Sequence, residues 1–384
     1  MDAAAAIRRE ALALGFDAVA VADAADAAAG PLEPEGGRLR AWLGAGMHGE
    51  MAFMAARTDE RAEPRRIIPE LRAVVVVAAG YLTADWVAPH AERGGVSRYA
   101  WGRDYHRFVQ DRLRKLRRRI ERLLPGVHAY TTVDTGPVME KAWAVRAGLG
   151  WLGKHGCVIT RDFASWAFLG VVLLDRGLAP DPPAADRCGT CVRCIDVCPT
   201  RAIVAPGVVD ARLCISYLTV EHRGPIPRGL RAAVGQRLFG CDDCQEACPW
   251  NRLARPAVRA DWRPRAGWEP DRLDPVRVAT WTRAEHREAA AGMAVNRVGY
   301  DGLRRNALVV LGNRGAAARG AVGAIAPLLG DGSAVVRGAA AWALGELGGT
   351  EAQRALRDAA AAEPPERDPE VRAELAAALA RATR

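Results

Sequence analysis

Apolar and polar residues alternate along this chain with three successive rhythms. Over residues 3–14, apolar positions recur at helical spacing and stop at Gly15, which predicts a helix with glycine just past its end. Residues 16–21 read as a short strand, 73–79 as a buried β-rich run, and 128–133 and 166–174 as two further strands. Between them, residues 104–124 place Val109, Leu113, Leu116, Ile120 and Leu123 on one face of a long amphipathic helix. This mixture predicts an α/β (or α+β) domain over residues 1–175. From about residue 275 the rhythm is purely helical. LRRNALVVLG at 303–312 and VRGAAAWALG at 336–345 are alike at a period of about 33, with a weaker copy at 371–380. Such repeats stack as helix pairs and present a concave binding face, so 275–384 is expected to be a HEAT-like helical domain.

The intervening stretch, residues 176–255, is entered through the proline-rich APDPPAAD and follows neither rhythm. It holds eight of the nine cysteines. Cys188, Cys191, Cys194 and Cys198-Pro199 have the bacterial ferredoxin spacing for a 4Fe–4S centre. Cys241, Cys244 and Cys248-Pro249 form a second run one ligand short, and Cys214 lies upstream to complete it. In two-cluster ferredoxins the Cys-Pro cysteine serves the other cluster. By that rule cluster one takes Cys188, Cys191, Cys194 and Cys248, and cluster two takes Cys198, Cys214, Cys241 and Cys244. Structural zinc favours paired knuckles with longer gaps, which a triple knuckle with Cys-Pro endings does not resemble. A disulfide framework does not suit a chain of this size without a secretory leader. Cys157 is left over and is expected to be a small buried hydrophobe.

Composition alters this picture in two ways. No apolar run approaches the ~20 residues of a membrane span, so a cytoplasmic protein is expected, where thiolates stay reduced. The formal charge of +9 suits an anionic partner such as nucleic acid. Much of that charge lies on the polar face of helix 104–124, as Arg112, Arg114, Lys115, Arg117, Arg118, Arg119 and Arg122, where a solvated face and a phosphate-contacting face are both open readings.

Candidate chemistry outside the cysteines concentrates in VDTGPVME. A strand is expected to end at Asp134, followed by a Thr-Gly turn and a helix starting near Pro137 and ending at Gly148. A carboxylate there either projects into a cleft or merely caps the helix. The glycine-dense GWLGKHG that follows allows close backbone approach to a flat ligand or a phosphate. SRYAWGRDYH, residues 97–106, brings Arg, Tyr and His together in a loop suited to a polar ligand or to ordinary surface hydrogen bonding.

Taken in order, SRYAWGRDYH, VDTGPVMEKAWAVRAGLGWLGKHG, CGTCVRCIDVCPT, CISYLTVEHRG, FGCDDCQEACPWN and RRNALVVLGN resemble the epoxyqueuosine reductases, and RTDERAEPRRIIP from Arg57 extends the likeness to nearly the whole chain. The resemblance implies reduction of the epoxide of epoxyqueuosine at the wobble position of tRNA to queuosine. It implies cobalamin and two 4Fe–4S clusters as cofactors, a corrin-binding N-terminal domain like that of reductive dehalogenases, and helical repeats that help hold the tRNA. By motif match Asp134 is the proton donor to the departing epoxide oxygen. Burial beside an apolar corrin is expected to raise its pKa. The implied corrin contacts are Arg57, Ser97, Lys154, His155, Ser216 and Tyr217, with Val158 and Leu169 acting through backbone and His222 contacting cofactor or tRNA. Glu221 and Arg223 are candidates for cofactor or tRNA contact. The Asp-x-His-x-x-Gly motif that gives a histidine to cobalt in some corrinoid enzymes is absent, so base-off cobalamin without a protein imidazole from that motif is expected.

Further expectations are a monomer, no membrane partner, and an unidentified low-potential electron donor. Two alternatives remain at this stage. One is a corrinoid reductive dehalogenase-like enzyme, against which the repeats and the missing twin-arginine leader argue. The other is a non-catalytic ferredoxin and HEAT electron-transfer scaffold, which would bind no corrin.

Overall fold

The computed structural model describes residues 2–24, 32–83, 95–257, 259–268 and 273–382. The chain divides into two compact units that are not collinear with the sequence. The first comprises residues 1–86, 103–212 and 243–262; the second comprises 87–102, 213–242 and 263–384. This partition cuts across the three regions read along the chain.

The first unit is built on a four-stranded sheet. Its elements are α1 (Ala3–Ala13), β1 (Ala18–Asp23), β2 (Ala73–Gly80), α2 (Tyr105–Leu123), β3 (Ala129–Thr132), α3 (Glu140–Arg146), β4 (Gly150–Leu152), β5 (Val158–Thr160) and β6 (Ala167–Leu174). The sheet order is β1-β2-β6-β3, and every pairing is antiparallel, so of the two mixed classes expected the sheet is of the α+β kind. All eight residues of β2 are buried, as a central strand covered on both faces requires. On one face Val74, Val76 and Ala78 join Val171 and Leu173 against Trp143 and Ala144 of α3. On the other, α2 lies along β3 and β6 with Val109, Leu113, Leu116 and Ile120 buried. Each such fully buried aliphatic side chain contributes about 1.5–3 kcal/mol.

Two boundaries differ from expectation. The first strand starts at Ala18 rather than at 16, because the Asp17 carboxylate accepts the Gly80 N–H and ends the preceding turn. The helix expected from Pro137 starts at Glu140. Residues 134–139 form a tight loop instead, with the Thr135 N–H bonded to the Val133 carbonyl and Asp134 at a left-handed φ of 55°.

The second unit contains α4 (Ile215–Val220) and a set of C-terminal helices that includes α5 (Gly299–Arg314), α6 (Ala334–Leu347) and α7 (Pro369–Ala382). These last three are the self-similar segments. They pack in series, α5 on α6 and α6 on α7. A methyl group at Gly312 would stand 2.2 Å from the Trp342 ring, so glycine lets α5 and α6 approach. Arg305, fully buried on α5, donates to the carbonyls of Leu218, His222 and Gly224, and Asn306 donates to those of Thr219 and Leu238. The repeat helix thereby satisfies the otherwise open carbonyls after α4.

Candidate active site and iron–sulfur cradle

Asp104 ends its loop as the N-cap of α2, accepting the His106 N–H at 3.0 Å. Its Oδ1 also meets His106 Nδ1 at 2.7 Å, which turns Nε2 toward Asp134 Oδ2 at 3.0 Å. The Tyr105 hydroxyl donates to the same Oδ2 at 2.7 Å. Tyr105 is held flat between His106 (ring centroids 4.0 Å) and Phe168 of β6 (4.3 Å, planes 2° apart), with Tyr81 and Trp262 packed around Phe168. The aromatic stack thus fixes two donors on one oxygen of Asp134. No other hydrogen bond reaches that carboxylate among the described residues, and its side chain is 61% exposed, so Oδ1 faces outward.

The loop carrying Asp134 is tightly set. A methyl group at Gly136 would lie 2.1 Å from Thr132 Oγ1. Beside the loop opens a polar cavity of about 650 Å³ lined by Arg57, His106, Arg107, Arg114, Tyr130 and Thr135, among others. Arg57 stands at this cavity, beside the loop that carries Asp134.

The charge states follow from these contacts. Burial works against the His106 imidazolium, but hydrogen bonds to Asp104 and Asp134 prevail and raise it to about 9. For Asp134 desolvation pulls upward, and the His106 and Tyr105 hydrogen bonds outweigh it, leaving the carboxyl below its ordinary value. This corrects the expectation of a raised Asp134: the proton at neutral pH resides on His106, a residue noted in the sequence only as part of a polar loop. The signal that could have found it was present, since the Asp-Tyr-His run sits at a helix N-cap. A second group missed by sequence reasoning is Glu140, six residues after Asp134. Burial lifts its carboxyl to about 7, and its Oε1 has no hydrogen-bond partner.

The basic face of α2 is partly neutralised within the fold. Arg114 pairs with Asp111, Arg117 with Glu121 and Arg119 with Glu10, while Arg112 lies over the Phe108 ring.

The same unit gathers Cys188, Cys191, Cys194 and Cys248 around one small cavity, together with Lys154, His155 and Trp250. The Cys248 segment is anchored by Asn251, whose amide bonds Ser165 and the Gln245 carbonyl. Burial and the adjacent thiols of Cys248 and Cys188 push Cys194 up to about 11. Among the described residues no three His, Cys, Asp or Glu side chains close on a single-ion site; the sulfurs surround a space instead. Two buried nitrogens there, His155 Nε2 and Trp151 Nε1, meet no oxygen or nitrogen acceptor, and His155 lies against the Cys248 thiol. His155 Nδ1 accepts the Cys157 N–H, so in the neutral ring Nε2 carries the proton. Crowded thiols and these N–H donors together fit a group rich in positive iron and acceptor sulfur. Lys154 Nζ donates to the carbonyls of Gly189 and Cys191, bracing the cysteine loop. Lys154 and His155 thus stand at this cradle. Cys157 is half-buried rather than enclosed as expected, because its backbone serves the His155 turn.

The remaining expected residues are placed as follows. Cys198 and Cys244 belong to the first unit, Cys214 and Cys241 to the second. Val158 sits in the sheet core and Leu169 packs against it; the Leu169 backbone pairs with Ala78 on one edge, whereas β3 reaches only as far as Val171 on the other. In the second unit Ser97 is buried, its Oγ 2.5 Å from Asp242 Oδ1, and the Arg98 N–H and guanidinium meet the other carboxylate oxygen. Ser216 and Tyr217 lie on α4, Tyr217 beside the His222 ring. His222 Nε2 bonds the Pro225 carbonyl. Glu221 pairs with Arg297, and Arg223 donates to the Val298 carbonyl.

Comparison with known proteins finds three family matches along the chain. Residues 61–135 match the family described as epoxyqueuosine reductase QueG, DUF1730; residues 187–251 match a 4Fe–4S double cluster binding domain; residues 300–380 match HEAT repeats. The epoxyqueuosine reductase of Xanthomonas campestris is 41% identical over 355 residues, covering 90% of this chain and 97% of that protein. The Escherichia coli epoxyqueuosine reductase is 39% identical over 311 residues, 80% of each. A solved epoxyqueuosine reductase with an epoxyqueuosine-modified tRNA-Tyr stem loop superimposes with a TM-score of 0.89 at 27% identity, covering 99% of this chain and 98% of that one. The Bacillus subtilis enzyme, whose Asp134 catalytic loop (in its own numbering) is swung out of the active site, does so with a TM-score of 0.87 at 26% identity, covering 98% of each. This chain belongs to the epoxyqueuosine reductase family.

Proposed function

We propose that this protein is an oxidoreductase that reduces epoxyqueuosine to queuosine in tRNA, with Asp134 as the group that protonates the departing oxygen. The observation that carries the assignment of role is the convergence of Tyr105 and His106 on one oxygen of Asp134, with the other left free beside an open polar cavity. Opening and removing an epoxide oxygen takes two electrons and two protons and releases water. Cobalamin, when bound, supplies a strongly nucleophilic low-valent cobalt, and two 4Fe–4S clusters supply its electrons.

The chain's own residues do the rest. Asp104 holds His106 so that its proton lies against Asp134. Tyr105 keeps the carboxylate from rotating, because its own ring is clamped by Phe168. His106, protonated at neutral pH, gives its proton to Asp134, which yields it to the departing oxygen. The pair acts as one acid whose proton is held on nitrogen at rest. The Bacillus subtilis relative with its Asp134 catalytic loop (in its own numbering) swung out of the active site supports a role for this loop in the reaction. Cluster one is assigned to Cys188, Cys191, Cys194 and Cys248, braced by Lys154 and faced by His155; cluster two is assigned to Cys198, Cys214, Cys241 and Cys244 by their spacing. Base-off cobalamin, with Arg57, Ser97, Val158, Leu169, Ser216, Tyr217 and His222 among its contacts, follows from the family likeness. So do a monomer working in the cytoplasm and the three-part organisation, with a corrin-binding domain at 1–175, a cluster domain at 176–255 and repeats at 275–384.

The test is Asp134→Asn, which keeps the shape and removes the carboxylate that takes and gives the proton. Loaded variant protein should retain iron and corrin absorbance but convert epoxyqueuosine stem loop at least 100-fold more slowly. Turnover at the wild-type rate would remove Asp134 from the mechanism.

A further inference from the structure

The surface around the cysteine cradle of the first unit is unusual in two respects. Among the described residues four of the seven exposed large hydrophobic side chains lie on the segments that carry the cradle: Val192 is 43% exposed, Val197 41%, Leu152 38% and Leu253 75%. Cys191, between the loop and solvent, is itself exposed. A cluster ligand at the surface, ringed by apolar side chains, leaves little protein between the metal centre and whatever docks.

The second feature is charge. Arg161, Arg187, Arg193 and Arg252 are exposed and form no side-chain ion pair or hydrogen bond among the described residues. Arg161 and Arg187 line an open cavity of about 690 Å³ whose wall includes Trp151 and Trp250. These two indoles meet edge to face at 5.2 Å and pack against Cys188 and Cys248. Arg193 borders the cysteine cavity itself, with Trp250, and Arg252 and Leu253 share the turn that carries Trp250. The local acids are mostly engaged. Asp181 bonds Arg8, Asp162 pairs with Arg255 and Asp186 caps the Cys188 N–H, while Asp196 and the half-buried Glu246, which shares a pocket with Arg252, also lie on these segments. The surface is therefore apolar at its centre and basic at its rim.

We propose that this face is the docking surface for the electron donor, and that the donor is a small acidic electron-carrier protein. The inference rests on the functional reading above, since it requires cluster one in the cradle. Charge complementarity selects the partner: unpaired guanidinium groups steer an acidic surface, and the apolar centre around Leu253 and Val192 excludes water from the contact. In each encounter the reduced carrier loses one electron and cluster one gains it; two encounters deliver the two electrons that one epoxide consumes. Trp151 and Trp250 line the cavity of Arg161 and Arg187 and pack against Cys188 and Cys248.

The experiment uses reduced flavodoxin as the probe and the full-length, iron-loaded protein. Stopped-flow bleaching of the cluster absorbance gives the bimolecular rate, and calorimetry gives the affinity at low and high salt. The triple variant R161E/R187E/R252E should bind flavodoxin at least about 10-fold more weakly and be reduced by it at least about 10-fold more slowly, with most of the salt dependence gone. Its reduction by dithionite, a small anion that needs no docking surface, should differ far less. Leu253→Asp, with the charges intact, should weaken binding and leave the salt dependence in place. Unchanged flavodoxin affinity and rate in the triple variant, with about eight irons present, would overturn the proposal. So would a loss of tRNA stem-loop binding with flavodoxin kinetics intact, which would make the face an RNA contact. Protein that takes up no iron would overturn the functional reading and this proposal together, and iron analysis separates that case from the others.

Discussion

Replacing His106 by alanine separates the proton store from the carboxylate it serves. In the native protein the imidazole is lifted from 6.5 to about 9 by Asp104 and Asp134. At 1.36 kcal/mol per pH unit that corresponds to roughly 3 kcal/mol as an upper bound. Solvent screens the contact, since the Asp134 side chain is 61% exposed, so about 1–2 kcal/mol is the expected loss of stability. The sign is set by the direction of the change. A group whose pKa is raised on folding stabilises fully below its unfolded value and ceases to do so as pH rises through its folded value. The gap between wild type and His106→Ala in urea unfolding should therefore be full at or below about pH 6.5 and close as pH rises through about 9. Catalysis should respond in parallel. Wild-type turnover should fall as pH rises through about 9, because the pair then loses its proton. In the variant Asp134 titrates alone, so turnover near neutral pH should drop about 10²–10³-fold and recover toward acid. Unfolding gaps equal at all pH values, or a variant that keeps the alkaline limb of the wild type, would refute the pairing.

Two further predictions concern buried polar groups. Glu140 carries a raised carboxyl, about 7 against 4.5, so in the native protein it opposes folding increasingly as pH rises between those values. Glu140→Gln should gain on wild type by about 1 kcal/mol or more between pH 5 and 8 in the same unfolding assay, and a gap independent of pH would contradict the assignment. Arg305→Met should leave the carbonyls of Leu218, His222 and Gly224 without their donor and cost about 3 kcal/mol or more, read as a lowered unfolding midpoint. A midpoint within error of wild type would mean that those carbonyls find other donors.

Much of this was readable before any coordinates. The strands at 73–79 and 166–174 were legible because apolar residues run uninterrupted there, and the amphipathic helix at 104–124 because its apolar stripe is sharply set off from its arginines. The repeat helices were legible by self-comparison. Antiparallel order was not, since a fully buried strand has the same composition in either sense. Residues 137–139 were misread as helix because Pro137 is at home in a first turn, whereas the left-handed Asp134 and the Gly136–Thr132 contact are tertiary constraints. For the site, sequence singled out Asp134 but assigned it a high pKa, since burial was weighed without its donors. The roles of Tyr105 and His106 needed Phe168, 62 residues on, to become visible. Nor could the division of the chain into two interleaved units be read from composition. The segments 87–102 and 213–242 have no linker-like boundaries, and their membership is decided by contacts such as Ser97 with Asp242.

The most direct test is anaerobic turnover. Protein loaded with iron, sulfide and cobalamin, incubated with an epoxyqueuosine-modified tRNA stem loop and a low-potential reductant, is digested to nucleosides and analysed by mass. The account predicts that the epoxynucleoside is replaced by a product one oxygen lighter, co-eluting with queuosine, and only when reductant is present. Epoxynucleoside returned intact by protein that holds about eight irons and binds corrin would contradict it.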